Sequence, residues 1–323
     1  MTPARILFVH NQPQSFVRID LALLRERWLV EERFERRRQV NPAAVWASVQ
    51  RADLVFCWFA SWHSFLPAMY AKMQRKSCII VVGGYDTANI PRIAYGSQRA
   101  GARRHISRLI IQVASHLIVN SESARLETIT NTGAAESKIT VIYHGIEPIN
   151  PPGGSVRDRI ALTVGGVWRE NLYRKGLLPF VQAAKLLPEW QFIVAGKWED
   201  GIDTLREAAG NNVTLTNFLI EPELAETYRR ASVYVQASLH EGFGMSLAEA
   251  MSAGCVPVGT RIGAIPEVMG DTGIYTEPDP ESIARAVVEA HTLDRNQPRE
   301  RVLSQFPIER RRAALHALIE RCL

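Results

Sequence analysis

Glu241 and Glu249, with seven residues between them, bracket the run "HEGFGMSLAEAMSAG" (240–254), in which two glycines precede a series of helix formers. Glycine permits positive φ and close backbone approach, while Ala, Leu, Glu and Met favour helix, so the run reads as a loop feeding a helix N-terminus. Unpaired N–H groups and the positive end of the helix dipole make such a junction attractive to a phosphate. The amides near Gly244, Met245 and Ser246 are the expected contacts. Glu249, one turn into the helix, is a carboxylate that would repel a phosphate unless it points at hydroxyls; it can accept two hydrogen bonds from the vicinal hydroxyls of a ribose.

A second constellation is "VGGVWRENLYRKG" (164–176), where Gly165 and Gly166 end a strand and Arg169 and Lys175 follow six residues apart. A diphosphate needs compensating charge, and no metal-ligand motif is visible, so these two cations are the expected partners. They would stabilise charge developing on a diphosphate leaving group. In the first half, His63 in "FASWHS" follows a strand end and reads either as a core histidine or as a residue of the site. Asp86 in "GGYD" is either a turn-stabilising aspartate or a hydroxyl-orienting group, with Tyr85 beside it on the acceptor side. Trp58, Trp62, Tyr85 and Trp198 could offer sugar or base platforms, or pack in the core.

Positioning these residues requires a scaffold, and the pattern supplies one. Short apolar, β-branched runs ("RILFVH", "ADLVFCWF", "SCIIVVGG", "ASHLIVNS"; then "RIALTVGG", "WQFIVAGK", "NVTLTNF", "SVYVQAS", "CVPVGT") alternate with helical stretches such as "EPELAETYRRA" and "PESIARAVVEAHTL". This alternation implies an α/β fold of parallel sheets with helices on both faces. Pro and Gly cluster in "HGIEPINPPGGSVRDR" (144–159), which reads as a linker. We therefore expect two Rossmann-like, doubly wound domains, 1–147 and 148–305, facing a central cleft; the family resemblance given below implies that the first is the acceptor side, with a C-terminal helix at about 306–323 packing back on it, and the second the donor side. Ligands of open α/β sheets bind outside the carboxyl ends of the strands.

Composition is that of a globular protein: 323 residues, 46% hydrophobic and 22% charged, net charge +5. No apolar run approaches the ~18 residues of a membrane span, and a cytoplasmic protein is expected. Cys57, Cys78, Cys255 and Cys322 lack C-x-x-C spacing and suit reduced, buried thiols; no structural metal is expected. The basic excess lies in the first half. Arg99, Arg103, Arg104 and Arg108 recur at helical spacing, as a solvated helix face or as a contact for an anionic acceptor or the inner membrane surface. The run "RERWLVEERFERRR" (25–38), mixed in sign, reads as a solvated segment. Nucleic-acid binding lacks a recognition module.

The segment "SLHEGFGMSLAEAMSAGCVPVGTRIGAIPEVMGDTGIY" resembles the donor site of family 4 glycosyltransferases, retaining enzymes of the GT-B fold. The resemblance extends over residues 140–323 through "VIYHGIEP", Arg169 with Lys175, "VAGKWEDG" and "GAIPEV", and more loosely into the first half. It implies that Glu249 binds the ribose, that Glu241 lies near the hydroxyls of the transferred sugar, and that the segment Gly242, Phe243, Gly244, Met245, Ser246 meets sugar and diphosphate. It further implies that Arg169 and Lys175 neutralise the β-phosphate, that His63 lies near the sugar, and that no metal or other cofactor takes part. The implied reaction moves a hexose-type sugar from a nucleoside diphosphate sugar to a hydroxyl acceptor, whether glycan, lipid-linked or small molecule. A sugar-nucleotide epimerase of similar fold and a non-catalytic sugar-nucleotide-binding module are the alternatives. Where many members carry a Gly-Gly loop after the first strand, this chain has "HNQPQSFVRID", and Gly166 and Arg169 are not adjacent as they commonly are in the family.

Overall fold

The computed structural model describes residues 3–35, 40–151 and 158–323. The centre of the expected linker (152–157) and the end of the charged run (36–39) lie outside the described residues. The chain divides into two units, one of Met1–His144 with Glu309–Leu323, the other of Gly145–Ile308.

The first unit holds a parallel sheet of β1 (Arg5–His10), β2 (Leu29–Phe34), β3 (Leu54–Trp58), β4 (Ser77–Val82), β5 (His116–Val119) and β6 (Ile139–Val141), in the order β2-β1-β3-β4-β5-β6. The central strands read as unbroken apolar runs because helices cover both faces; all five residues of β3 are buried. The expected solvated segment 25–38 contains strand β2, none of whose residues is buried. Its sequence, LVEERF, has too many charges to look like a strand, yet it pairs with β1 from Arg5↔Leu29 to His10↔Phe34. Its position at the sheet edge resolves the conflict, since charge there is tolerated and discourages further strand addition. Glu31 accepts from Arg51 at 3.0 Å and Glu32 from Arg25 at 2.9 Å.

The closing helix Ile308–Cys322 belongs to this unit from Glu309 onward. Its Arg311 is buried and forks onto Asp20, with Nε–Oδ1 at 2.6 Å and Nη2–Oδ2 at 2.8 Å. Nη1 donates to the carbonyls of Ile142 and Tyr143 at 2.9 and 3.0 Å. The guanidinium is thereby satisfied within the fold, which a buried charge requires.

The second unit holds β7 (Ile160–Val164), β8 (Gln191–Ala195), β9 (Val213–Thr216), β10 (Val233–Gln236), β11 (Val256–Gly259) and β12 (Ile274–Tyr275), in the order β12-β11-β10-β7-β8-β9. All pairings are parallel. Phe180, Trp190, Phe192 and Val258 lie in its core. Successive strands depart in opposite directions from the β7–β10 pair, so the topological switch point lies there, and the rule for open sheets places a ligand outside the ends of these two strands.

Cys57, Cys78 and Cys255 are buried free thiols and Cys322 is partly buried. Among the described residues no helix is long and apolar enough to cross a membrane.

Candidate active site

At the switch point the chain leaves β7 through Gly165 and Gly166, makes the short helix Arg169–Arg174, and turns at Lys175 and Gly176. Gly176 has φ +69°, and a Cβ there would lie 2.3 Å from the carbonyl oxygen of Ala237. Only glycine lets the turn approach the end of β10 so closely. The approach is sealed by a hydrogen bond from the Leu239 amide to the Arg174 carbonyl at 2.7 Å.

This proximity brings Lys175 onto Glu241. The ammonium lies 2.6 Å from Oε2, with the two side chains only 19% and 13% exposed. Gln236, the last residue of β10, donates to the same oxygen at 3.1 Å and to Ser238 Oγ at 2.6 Å, while its side-chain oxygen accepts from Tyr234 OH at 3.1 Å. Burial alone would raise the Glu241 carboxyl, but the Lys175 charge and hydrogen bond outweigh it and hold the group below the usual carboxylate range. It is an ionised carboxylate with one oxygen fixed by protein donors.

Beyond Glu241 the chain passes Gly242 and Phe243, whose ring is buried edge-on against Phe306 at 5.3 Å between centroids. Gly244 then takes φ +96° and starts the helix Met245–Ser252, whose first amides, at Met245 and Ser246, precede the intrahelical bonding. Glu249 stands one turn in. Its Oε2 accepts from the hydroxyl of Tyr228, a buried residue of helix Glu221–Arg230, at 3.0 Å. Burial raises the Glu249 carboxyl despite that bond. Both glutamates act on the Tyr234 phenol, which burial first and then the Glu241 charge push up. Lys175 and Glu241 thus meet at the ends of β7 and β10, and Glu249 stands on the helix that starts just beyond Glu241.

Arg169 has its contacts on Asp200. Its amide donates to Asp200 Oδ1 at 3.0 Å, its Nε lies 3.4 Å from the Asp200 carbonyl oxygen, and the residue is exposed. Asp200 lies on the loop after β8. Trp198 is turned from a platform role in part: its indole N–H donates to Thr216 O at 2.9 Å, and Arg206 covers its ring at 4.6 Å.

The first-unit candidates are placed as follows. His63 is buried on the helix Trp62–Met73, with Nε2–H donating to the Trp58 carbonyl at 2.6 Å. Burial lowers it to about 4, so the ring is neutral, and Nδ1 has no hydrogen-bond partner among the described residues. Such a ring can only accept at Nδ1, for instance from a hydroxyl. Asp86 accepts from the amides of Ala60 (2.9 Å), Gly83 (3.1 Å) and Gly84 (2.9 Å). Both oxygens staple the 83–86 turn to the loop after β3; burial pushes the carboxyl up to about 6 against those donors. Tyr85 is half-exposed, and its hydroxyl accepts from Arg103 at 3.0 Å. The helix begins at Ala102, so Arg99 is not on it as expected but ahead of it, bound to the Ala94 carbonyl. Arg108 donates to Gln98 Oε1 at 3.0 Å and to the Asn131 carbonyl at 2.6 Å. The four arginines therefore do not form one free stripe.

Sequence reasoning missed Tyr228, Tyr234 and Gln236. A glutamine at the end of the apolar strand "SVYVQAS" was a usable signal, because a buried amide must find partners; Tyr228 carried none.

Comparison with known proteins gives concordant findings. Residues 6–149 match the model of Glycosyltransferase Family 4, and residues 158–292 match that of Glycosyl transferases group 1. The chain is 29% identical over 128 residues to the O-antigen chain mannosyltransferase B of Escherichia coli, covering 36% of this chain and 34% of that protein. It is 31% identical over 169 residues to the lipopolysaccharide core biosynthesis mannosyltransferase LpcC of Rhizobium leguminosarum, covering 46% and 48%. The matched part thus spans half or less of the length of these relatives. Among solved structures, HepE of Anabaena in complex with UDP and glucose superposes with a TM-score of 0.81 at 14% identity, over 98% of this chain and 99% of that one. Sucrose-phosphate synthase from Thermosynechococcus elongatus gives 0.76 at 17%, over 98% of each.

Proposed function

Because the chain belongs to glycosyltransferase family 4 and has the GT-B fold, we propose that it is a retaining enzyme that moves a hexose-type sugar from a nucleoside diphosphate sugar to a hydroxyl acceptor, without a metal. The observation that carries this reading is the buried Lys175–Glu241 pair beside the start of the helix that bears Glu249. The donor diphosphate lies against the amides of Gly244, Met245 and Ser246 and is met by Lys175. The oxygen of Glu249 that Tyr228 does not occupy takes the ribose hydroxyls, and the oxygen of Glu241 that Lys175 does not occupy faces the sugar hydroxyls.

In the reaction the bond from the anomeric carbon to the β-phosphate oxygen breaks, and the acceptor oxygen bonds to the same carbon from the same face. The departing β-phosphate oxygen takes the acceptor's proton, so no separate base is needed. Lys175 and the helix amides stabilise the charge that grows on the leaving group. The donor class is supported by HepE, solved with UDP and glucose, and the sugar class by the mannosyl transfer in the relatives' names. We place this reaction in the cytoplasm, with exposed Arg103 and half-buried Arg104 available to an anionic acceptor or membrane surface.

A panel of UDP- and GDP-hexoses, followed for nucleoside diphosphate release with and without glycan and lipid acceptors, tests the reading. Acceptor-dependent release with an α-linked product from an α-linked donor is expected. Inversion at the anomeric carbon would refute the retaining course, epimerised donor without acceptor would establish the epimerase, and binding without turnover would establish a non-catalytic module.

A further inference from the structure

The geometry points to Arg174 as the second cation of the diphosphate site, acting beside Lys175 in the role that sequence spacing assigns to Arg169; this deepens the nucleotide-sugar reading and rests on it. Arg169 is exposed and turned to Asp200, on the loop after β8. Arg174 is the last residue of the same short helix, directly before Lys175, and its side chain is only 11% exposed. Its carbonyl is the acceptor that ties this turn to the loop after β10, so its backbone is fixed to both strand ends of the switch point.

The guanidinium is fixed as well. Asn171, buried, accepts from Arg174 Nε at 3.1 Å and from Nη2 at 2.6 Å through Oδ1, and donates through Nδ2 to the Gly166 carbonyl at 2.8 Å. One amide thus locks the orientation of Arg174 to the turn that ends β7. Glu170 approaches at 3.7 Å from a more exposed side, at 40%. On the inner side the Arg174 charge reaches Glu241, where it reinforces Lys175 in keeping that carboxyl ionised. Lys175 and Arg174, both largely buried, therefore both act on Glu241. A planar guanidinium held in one orientation suits the paired oxygens of a phosphate, and a donor oriented before the ligand arrives is the kind that stabilises leaving-group charge.

The test compares Arg174→Gln, Arg174→Lys and Arg169→Gln by calorimetric titration with UDP and UMP, and with GDP and GMP. The diphosphate over monophosphate preference is read for whichever base the wild type binds. Arg174→Gln is expected to lower diphosphate affinity about tenfold or more, the scale of a lost charge-assisted bond, with monophosphate affinity changed less than about threefold. Arg174→Lys should regain part of the preference, and Arg169→Gln should retain it. Retained monophosphate binding shows that the variant is folded. An unchanged preference in Arg174→Gln, or equal losses for both nucleotides, overturns the assignment of Arg174 alone. A wild type that binds neither diphosphate overturns the nucleotide-sugar reading and this inference together.

Discussion

Removing the Lys175 ammonium separates what the buried pair does for the fold from what it does for turnover. At 2.6 Å, with little exposure on either side, Lys175 is the main counterion of Glu241. In Lys175→Ala the carboxylate keeps Gln236 at 3.1 Å as a donor. The loss of stability should therefore be about 1–3 kcal/mol, below the ~3–5 kcal/mol of an ion pair broken with nothing left to share the charge. Loss of a preorganised charge-stabilising donor should cost about 10²–10³ in kcat, or roughly 2.7–4 kcal/mol. The linkage weakens. In the wild type the Glu241 carboxyl is depressed, so its contribution is present above the unfolded pKa and is lost as pH falls through the folded value. In the variant the Arg174 charge and Gln236 still act on the carboxyl, so it rises from its depressed value and less stability is lost on acidification. Nucleoside diphosphate release at saturating substrates measures the kinetic part; urea unfolding at neutral and acid pH measures the other. The double variant Lys175→Ala with Glu241→Gln should recover stability and not turnover. A kcat loss under about threefold with a verified donor, or restored turnover in the double variant, would refute the reasoning.

Tyr228→Phe removes the donor that orients Glu249 and should weaken nucleoside diphosphate binding about three- to tenfold, with a smaller gap between UDP and 2′-deoxy-UDP; an unchanged gap in paired titrations counts against ribose recognition through Glu249. His63, held neutral down to about 4, contributes fully above the ordinary histidine value of 6.5 and loses its contribution as pH falls from there toward 4. His63→Gln, whose amide can still donate to the Trp58 carbonyl, should shrink the stability drop between pH 7 and 4.5 by about 2 kcal/mol in urea unfolding, and an identical drop would contradict the burial argument. With side-chain cations and helix amides meeting the diphosphate, turnover should persist in EDTA; activity that collapses with chelator and returns with Mg²⁺ or Mn²⁺ would contradict this account.

The legible parts of the sequence were those where one physical demand dominates. Doubly covered strands such as β3 and β4 must be apolar throughout, and the glycine–helix junction at Gly244 announces itself by residue type. Three of the four edge strands were illegible for the converse reason: half of β2 is charged, and β6 and β12 have three and two residues, too few for a period. Among site residues, Lys175 and Glu241 meet because Gly176 permits the approach. The path of Arg169 was set instead by Asp200, thirty-one positions away, a tertiary partner that local spacing does not encode. Tyr228 escaped notice because a tyrosine on an amphipathic helix looks the same whether or not its hydroxyl has a task.

The fork of Arg311 onto Asp20 also bears on synthesis. The two residues are separated by 291 positions, and everything needed for the second unit lies between them. During vectorial synthesis the β-sheet around Asp20 emerges first, but its carboxylate awaits a partner that leaves the ribosome only after the second unit. Until then Asp20 lacks the cation that satisfies it in the finished fold. The second unit can complete its core on a nascent chain, whereas the first reaches its final packing only later, and a chain cut after Ile308 would leave the first unit without Arg311.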